Sequence, residues 1–188
     1  LDSGDLDANL EIWPSGHAKD KETYIDGKKT VVDIGVLGPN AKIGWYVPSF
    51  VTDADPSLKT WEGFKDTALA KKFASAETGD LGRFLGTDPS YSQADEAIIK
   101  NLALPFKVIY SGSEAATVAA LDSAVAAKQP ILMYWWVPTA AAATPEPIST
   151  TSRSSTPRPA PATRSPHAAA ERSFITEMGS LVARACKR

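Results

Sequence analysis

Between residues 143 and 144 the chain changes character, and that change limits what part of it can fold. Residues 1–143 carry 13 basic and 19 acidic side chains, a net charge of −6. Residues 144–188 carry seven basic and three acidic side chains, a net charge of +4. The bases of the first part are twelve lysines and Arg83, whereas those of the second are six arginines and one lysine. Six of the 14 prolines also fall after residue 143. From Thr144 to Pro166 the sequence is mostly Pro, Ser, Thr, Ala and Arg around one isolated Ile148. Such a stretch cannot bury enough apolar surface to offset its ordering entropy, so residues 144–188 are expected to be a largely disordered tail. Within it, Phe174, Ile175, Met178, Leu181 and Val182 are spaced as in a marginal helix over Ala168 to Arg188. Ile148 to Ser155 can also be written in codons that, read two bases later, encode an alternating strand-like segment. A shifted reading frame is therefore one reading of the tail, and a natural Pro/Arg-rich linker is the other.

Composition removes several function classes. Twenty Lys and Arg against 22 Asp and Glu argue against a basic nucleic-acid binder. No run approaches the ~18–20 apolar residues of a membrane span. The lone Cys186 excludes an internal disulfide and a cysteine metal cluster, and His17 and His167 leave little room for histidine chemistry. The opening Leu1-Asp2-Ser3-Gly4-Asp5 lacks a charged and then apolar leader, so no signal peptide is expected in this chain.

Residues 1–143 read as alternating strands and helices, the pattern of an α/β fold. Thr30 to Val36 and Ile43 to Val47 are β-branched strands, the first ended by Gly38-Pro39 and the second by Pro48. Leu58 to Phe64 opens a helical stretch. Arg83 to Gly86 is a short buried strand leading to the loop Thr87-Asp88-Pro89-Ser90-Tyr91. Ser92 is placed as an N-cap for a helix over Gln93 to Leu102. Phe106 to Tyr110 and Ile131 to Trp136 are strands flanking an alanine-rich helix opened by Ser113-Glu114.

The aromatic residues cluster in context. Trp13, Trp45-Tyr46 and Trp135-Trp136 each lie just before a proline, and Tyr91 follows Asp88-Pro89-Ser90. Several ring faces around one cavity favour a cation that lacks hydrogen-bond donors, at ~0.5–2 kcal/mol per contact. A single Trp more often fills a core, and Trp61 is placed there.

Four segments, in order, carry a resemblance: Gly4 to Trp13, Gly44-Trp45-Tyr46-Val47-Pro48, Gly112-Ser113-Glu114-Ala115-Ala116 and Tyr134-Trp135-Trp136-Val137-Pro138. Together they resemble the substrate-binding proteins of glycine betaine/choline ABC transporters over about residues 1–143. The resemblance implies a type II periplasmic-binding-protein-like α/β fold, of which this chain holds one complete lobe plus remnants of the other. Residues 1–47 would be the first-lobe remnant and first crossing, 48–133 the second lobe, and 134–143 the return crossing. It further implies an aromatic cage of Trp13, Tyr91 and Trp136, with Trp135 competing for the last place. Ser92 and Gln93 would meet a ligand carboxylate through backbone N–H groups. The implied partners are a small quaternary ammonium ligand and the permease subunits of the transporter, outside the cytoplasm. No cofactor and no nucleic acid are implied.

Rival readings are weaker. The sequence lacks G-x-S-x-G, H-E-x-x-H, P-loop and dinucleotide motifs, so no enzyme is expected. A carbohydrate-binding module would use Trp platforms on an all-β frame, against the helices here. The remaining alternative is a truncated or frame-shifted product that binds little or nothing.

Overall fold

The computed structural model describes residues 1–14, 16–91, 94–140, 148–150 and 176–184. They belong to two units, one formed by Leu1–Lys42 with Thr176–Arg188 and the other by Ile43–Ile175.

The first unit contains strand β1 (Ala8–Ile12), the helical turn α1 (Ala18–Asp20) running into a π-turn over Lys21–Gly27, the first part of β2 (Val31–Pro48), and β7 (Thr176–Arg184). β7 lies between β1 and β2 and is antiparallel to both. The helix expected over Ala168 to Arg188 is therefore replaced by a strand at Thr176–Arg184. A strand here completes backbone ladders on both of its edges, and an isolated short helix has no comparable gain. The ends of the unit are tied by ion pairs, Lys21 to Asp33 at 2.9 Å and Lys28 to Asp2 at 3.3 Å. Its apolar burial is sparse. Val31 and Ala41 are buried, whereas Leu6, Leu10, Ile34 and Val36 are exposed.

β2 is one strand of 18 residues where the sequence suggests two. Gly38 does not end it, because a register shift between Val36 and Asn40 absorbs the irregularity, with Gly38 at φ 105°.

The second unit is built on a sheet in the order β2, β5 (Leu132–Val137), β3 (Gly82–Gly86) and β4 (Phe106–Tyr110). β3 is parallel to both β4 and β5. The short β6 (Ile148–Thr150) pairs with the end of β2. This is a local strand inside the stretch expected to be disordered, and residues 141–147 and 151–175 lie outside the described residues. Around the sheet stand α2 (Ser49–Ala54), α3 (Thr67–Lys71), α4 (Asp95–Asn101) and α5 (Glu114–Ala126).

Period-two alternation divides the strand residues between two cores. Trp45, Val47, Phe84, Leu132 and Tyr134 join Phe64, Phe73 and Phe106 in one. Tyr46, Leu85, Met133 and Trp135 pack with Leu121 and Ala124 of α5 in the other. The expected helix from Leu58 is instead two short 3-10 turns, Pro56–Lys59 and Trp61–Lys65. They fold tightly enough that a Cβ on Gly63 would collide with the Ser57 carbonyl. α5 begins as expected, with Ser113 Oγ accepting the Ala116 N–H at 3.2 Å.

Candidate functional site

Parallel strands aim their carboxyl ends at one edge of a sheet, where the connecting loops can gather a ligand site. In the second unit, Tyr91 lies in the loop after β3 and Trp136 stands at the end of β5. The loop after β3 is held in place by its own backbone. Ser111 and Gly112, just past β4, donate their N–H groups to the Gly86 and Thr87 carbonyls at 2.9 and 3.0 Å. Asp88 then closes a turn: its carboxylate accepts the Ser90 N–H at 2.8 Å, and its carbonyl accepts the Tyr91 N–H at 3.0 Å. Pro89 presets φ at the second position of this turn. Hydrogen bonds from Ser90 hold the Asp88 carboxyl below its ordinary range, so it stays ionised.

This turn brings Tyr91 to Trp136. Their ring centroids are 6.1 Å apart at 74°, an edge-to-face contact. Tyr134, two positions earlier on β5, lies 6.1 Å from Trp136 at 55°. Trp135 stacks on Trp136 at 4.5 Å and 24°. Trp135 is 1% exposed, and its indole N–H donates to Thr139 Oγ1 at 2.9 Å. Trp136 is half-buried, and Tyr91 is 38% exposed. Of the two adjacent tryptophans, Trp136 is the less buried, and Trp135 stacks against it. Burial raises the Tyr91 phenol, with Glu114 and Asp88 adding to the effect. Two acidic side chains, Glu114 and Asp88, thus act on this phenol.

Trp13 belongs to the first unit. It is half-buried, and its indole N–H donates to Glu11 Oε1 at 2.8 Å. Ser92 and Gln93 lie outside the described residues. Sequence reasoning did not single out Tyr134 or Asp95. Tyr134 was visible in principle, since it alternates with Trp136 along one strand. Asp95 opens α4 and is 3% exposed, with its Oδ1 accepting the Trp45 indole N–H at 2.6 Å. Its burial comes from strands distant in sequence, which no local pattern reveals. His17 pairs with Asp20 at 3.1 Å on the surface, and no group of three metal-ligating side chains occurs among the described residues.

A family model, the substrate-binding domain of ABC-type glycine betaine transport systems, matches residues 1–144. The chain belongs to this family. Its members are substrate-binding parts of importers and are not in general enzymes. Three solved structures share the fold, the type II periplasmic-binding-protein arrangement. One is the glycine betaine/L-proline-binding protein ProX of Borrelia burgdorferi (20% identity, TM-score 0.67). Another is lactococcal OpuAC, closed on glycine betaine (19% identity, TM-score 0.64). The third is an ABC-transporter choline-binding protein in complex with choline (17% identity, TM-score 0.66). Each match covers 98% of this chain but only 58%, 60% and 56% of the respective relative. The chain therefore spans less than two thirds of the length of these proteins. No helix among the described residues is long and apolar enough to cross a membrane.

Proposed function

We propose that this chain binds a quaternary ammonium solute, glycine betaine or choline, as the receptor component of an ABC importer working outside the cytoplasm. The observation that carries this reading is the edge-to-face pair of Tyr91 and Trp136 at the carboxyl end of parallel strands. A trimethylammonium group has no N–H to donate, so its recognition rests on ring faces and on a surrounding negative field. Trp136 and Tyr91 supply the faces, and Trp135 fixes the plane of Trp136 from behind. Trp13 is proposed as a further ligand-contacting ring. Ser92 and Gln93 are proposed to meet a carboxylate when the ligand carries one. No bond is made or broken, so no catalytic residue is assigned. The permease subunits of the importer are the proposed protein partners.

The span of the chain supports a second statement. The chain covers about 58% of a relative's length, and we propose, as the alternative reading, that taken by itself it binds more weakly than a receptor of that full length. A loss of ~4 kcal/mol of contact and preorganisation corresponds to about a thousandfold weaker binding. The proposed outcome is selectivity for quaternary ammonium compounds at much reduced affinity. Titration of the purified chain with glycine betaine, choline and carnitine, followed by tryptophan fluorescence, tests both statements. Equal responses to these compounds and to a neutral sugar would end the proposal.

A further inference from the structure

We infer that Ser111 is a positioning residue for the aromatic pair: its hydroxyl bridges the loop that carries Tyr91 to the start of α5, and so fixes where Tyr91 stands relative to Trp136 and Glu114. Its effect on ligand affinity rests on the function proposed above, whereas the bridge itself rests on geometry alone.

Ser111 directly follows β4, and its side chain reaches three partners. Its Oγ lies 3.3 Å from the Thr87 carbonyl, 3.0 Å from the Ser113 carbonyl and 2.6 Å from Thr117 Oγ1. A hydroxyl has one proton to give and two lone pairs with which to receive. With Thr117 as donor in the short bond, the Ser111 proton lies between the two carbonyls. One of these is in the loop after β3, and the other belongs to the N-cap of α5. The bridge spans a joint that the backbone leaves loose. β4 passes into α5 through Gly112, at φ 87°, and glycine restrains its own backbone least of all residues.

From Thr87 the restraint runs on to both rings. Asp88, the next residue, accepts the N–H groups of Ser90 and Tyr91 and so sets the turn on which Tyr91 stands. Thr87 is fully buried, and its Oγ1 donates to the Tyr134 carbonyl at 3.4 Å, two residues before Trp136 on β5. On the other side, Ser113 caps α5, whose first residue is Glu114. Ser111 is thus the side chain at which the Tyr91 loop, the end of β4 and the head of α5 meet. Removing its hydroxyl orphans neither buried neighbour. The Thr87 carbonyl keeps the Gly112 N–H at 3.0 Å, and Thr117 Oγ1 keeps the Ser113 carbonyl at 3.1 Å. The fold therefore tolerates the loss, and what goes is the register of loop against helix.

The experiment uses the full chain as wild type, Ser111→Ala, Tyr91→Ala and the double variant. Choline chloride is titrated into each. Ser111→Ala should weaken binding several-fold in wild type and no further in the Tyr91→Ala background, because it acts through that ring. A merely structural role would give the same loss in both backgrounds. Without ligand, phenolate absorbance is followed through about pH 10, and subtracting the curve of the matching Tyr91→Phe chain isolates the Tyr91 phenol. Burial first, then Glu114 and Asp88, hold that phenol above its ordinary value, so it should titrate at lower pH in Ser111→Ala. Unchanged affinity in Ser111→Ala, an equal loss in both backgrounds, or an unmoved Tyr91 phenol overturns the inference. If wild type binds no choline, the proposed function fails. In that case, and where the Tyr91→Ala chains bind too weakly to compare, the phenol titration alone decides the bridge. If Ser111→Ala does not fold, Thr117→Val is judged by the same criteria, since it removes the hydroxyl that orders Ser111 and keeps the side-chain shape.

Discussion

Tyr91 and Trp136 meet edge to face with ring centroids 6.1 Å apart, one in the loop after β3 and the other at the end of β5. The two strands that deliver them run parallel, neither at the outer edge of the second unit's sheet. Their meeting depends on the Asp88–Tyr91 turn and on Ser111 and Gly112 gripping the loop from β4.

Substitutions at the adjacent tryptophans should separate recognition from support. Trp136→Ala and Tyr91→Ala each remove a half-exposed ring, and each is expected to weaken quaternary ammonium binding at least tenfold, about 1.4 kcal/mol. Trp135→Ala removes a buried ring and the bond to Thr139. It should cost ~3–5 kcal/mol of stability. Isothermal titration paired with urea unfolding distinguishes the two effects. A Trp136→Ala protein that binds as tightly as wild type would show that the ring is not a contact.

The pH dependence of stability follows from Asp95. Its folded pKa is raised from 3.8 to about 6, so the folded state holds its proton more tightly than the unfolded state does. Stability contributed by the neutral acid is fully present below about pH 4 and is lost as pH rises through about 6. The shift corresponds to at most ~3 kcal/mol. The paired carboxylates, Asp33 with Lys21 for example, are shifted downward and act in the opposite direction at lower pH. The informative quantity is therefore the stability of wild type minus that of Asp95→Asn, measured by urea unfolding. It should decline between about pH 4 and 8, and a constant or rising difference would contradict the burial argument.

Gly82 is a steric requirement of the second unit. A Cβ there would lie 2.8 Å from the Ala70 carbonyl oxygen and strike the Phe106 ring. Both neighbours are buried, and neither can yield without disturbing the Phe64, Phe73 and Phe106 cluster. Gly82→Ala should destabilise the unit by ~1–3 kcal/mol. A melting temperature equal to wild type would show that β3 can shift without cost.

Most of the second unit was legible because each element carries its own signal. Ser113 announces α5, Phe106 to Tyr110 is a short apolar run, and Tyr134-Trp135-Trp136 alternates into two cores. The failures have physical causes. Gly38-Pro39 reads as a strand end, yet a bulge carries β2 through it. Leu58 to Phe64 has helical spacing, but the close approach of Gly63 to Ser57 selects tighter turns. Thr176–Arg184 is apolar at intervals that suit a helix, and two waiting strand edges override that preference. The aromatic residues of the site could be named from motifs. The Asp95–Trp45 bond could not, since it joins positions 50 apart through tertiary packing alone.

The most direct test of the central claim is calorimetric titration of the full chain with choline and glycine betaine, with a neutral sugar as the control. Saturable binding of the quaternary ammonium compounds, weakened at least tenfold by Trp136→Ala and absent for the sugar, is the predicted result. No heat from either compound, under conditions where the chain is folded by circular dichroism, would contradict it.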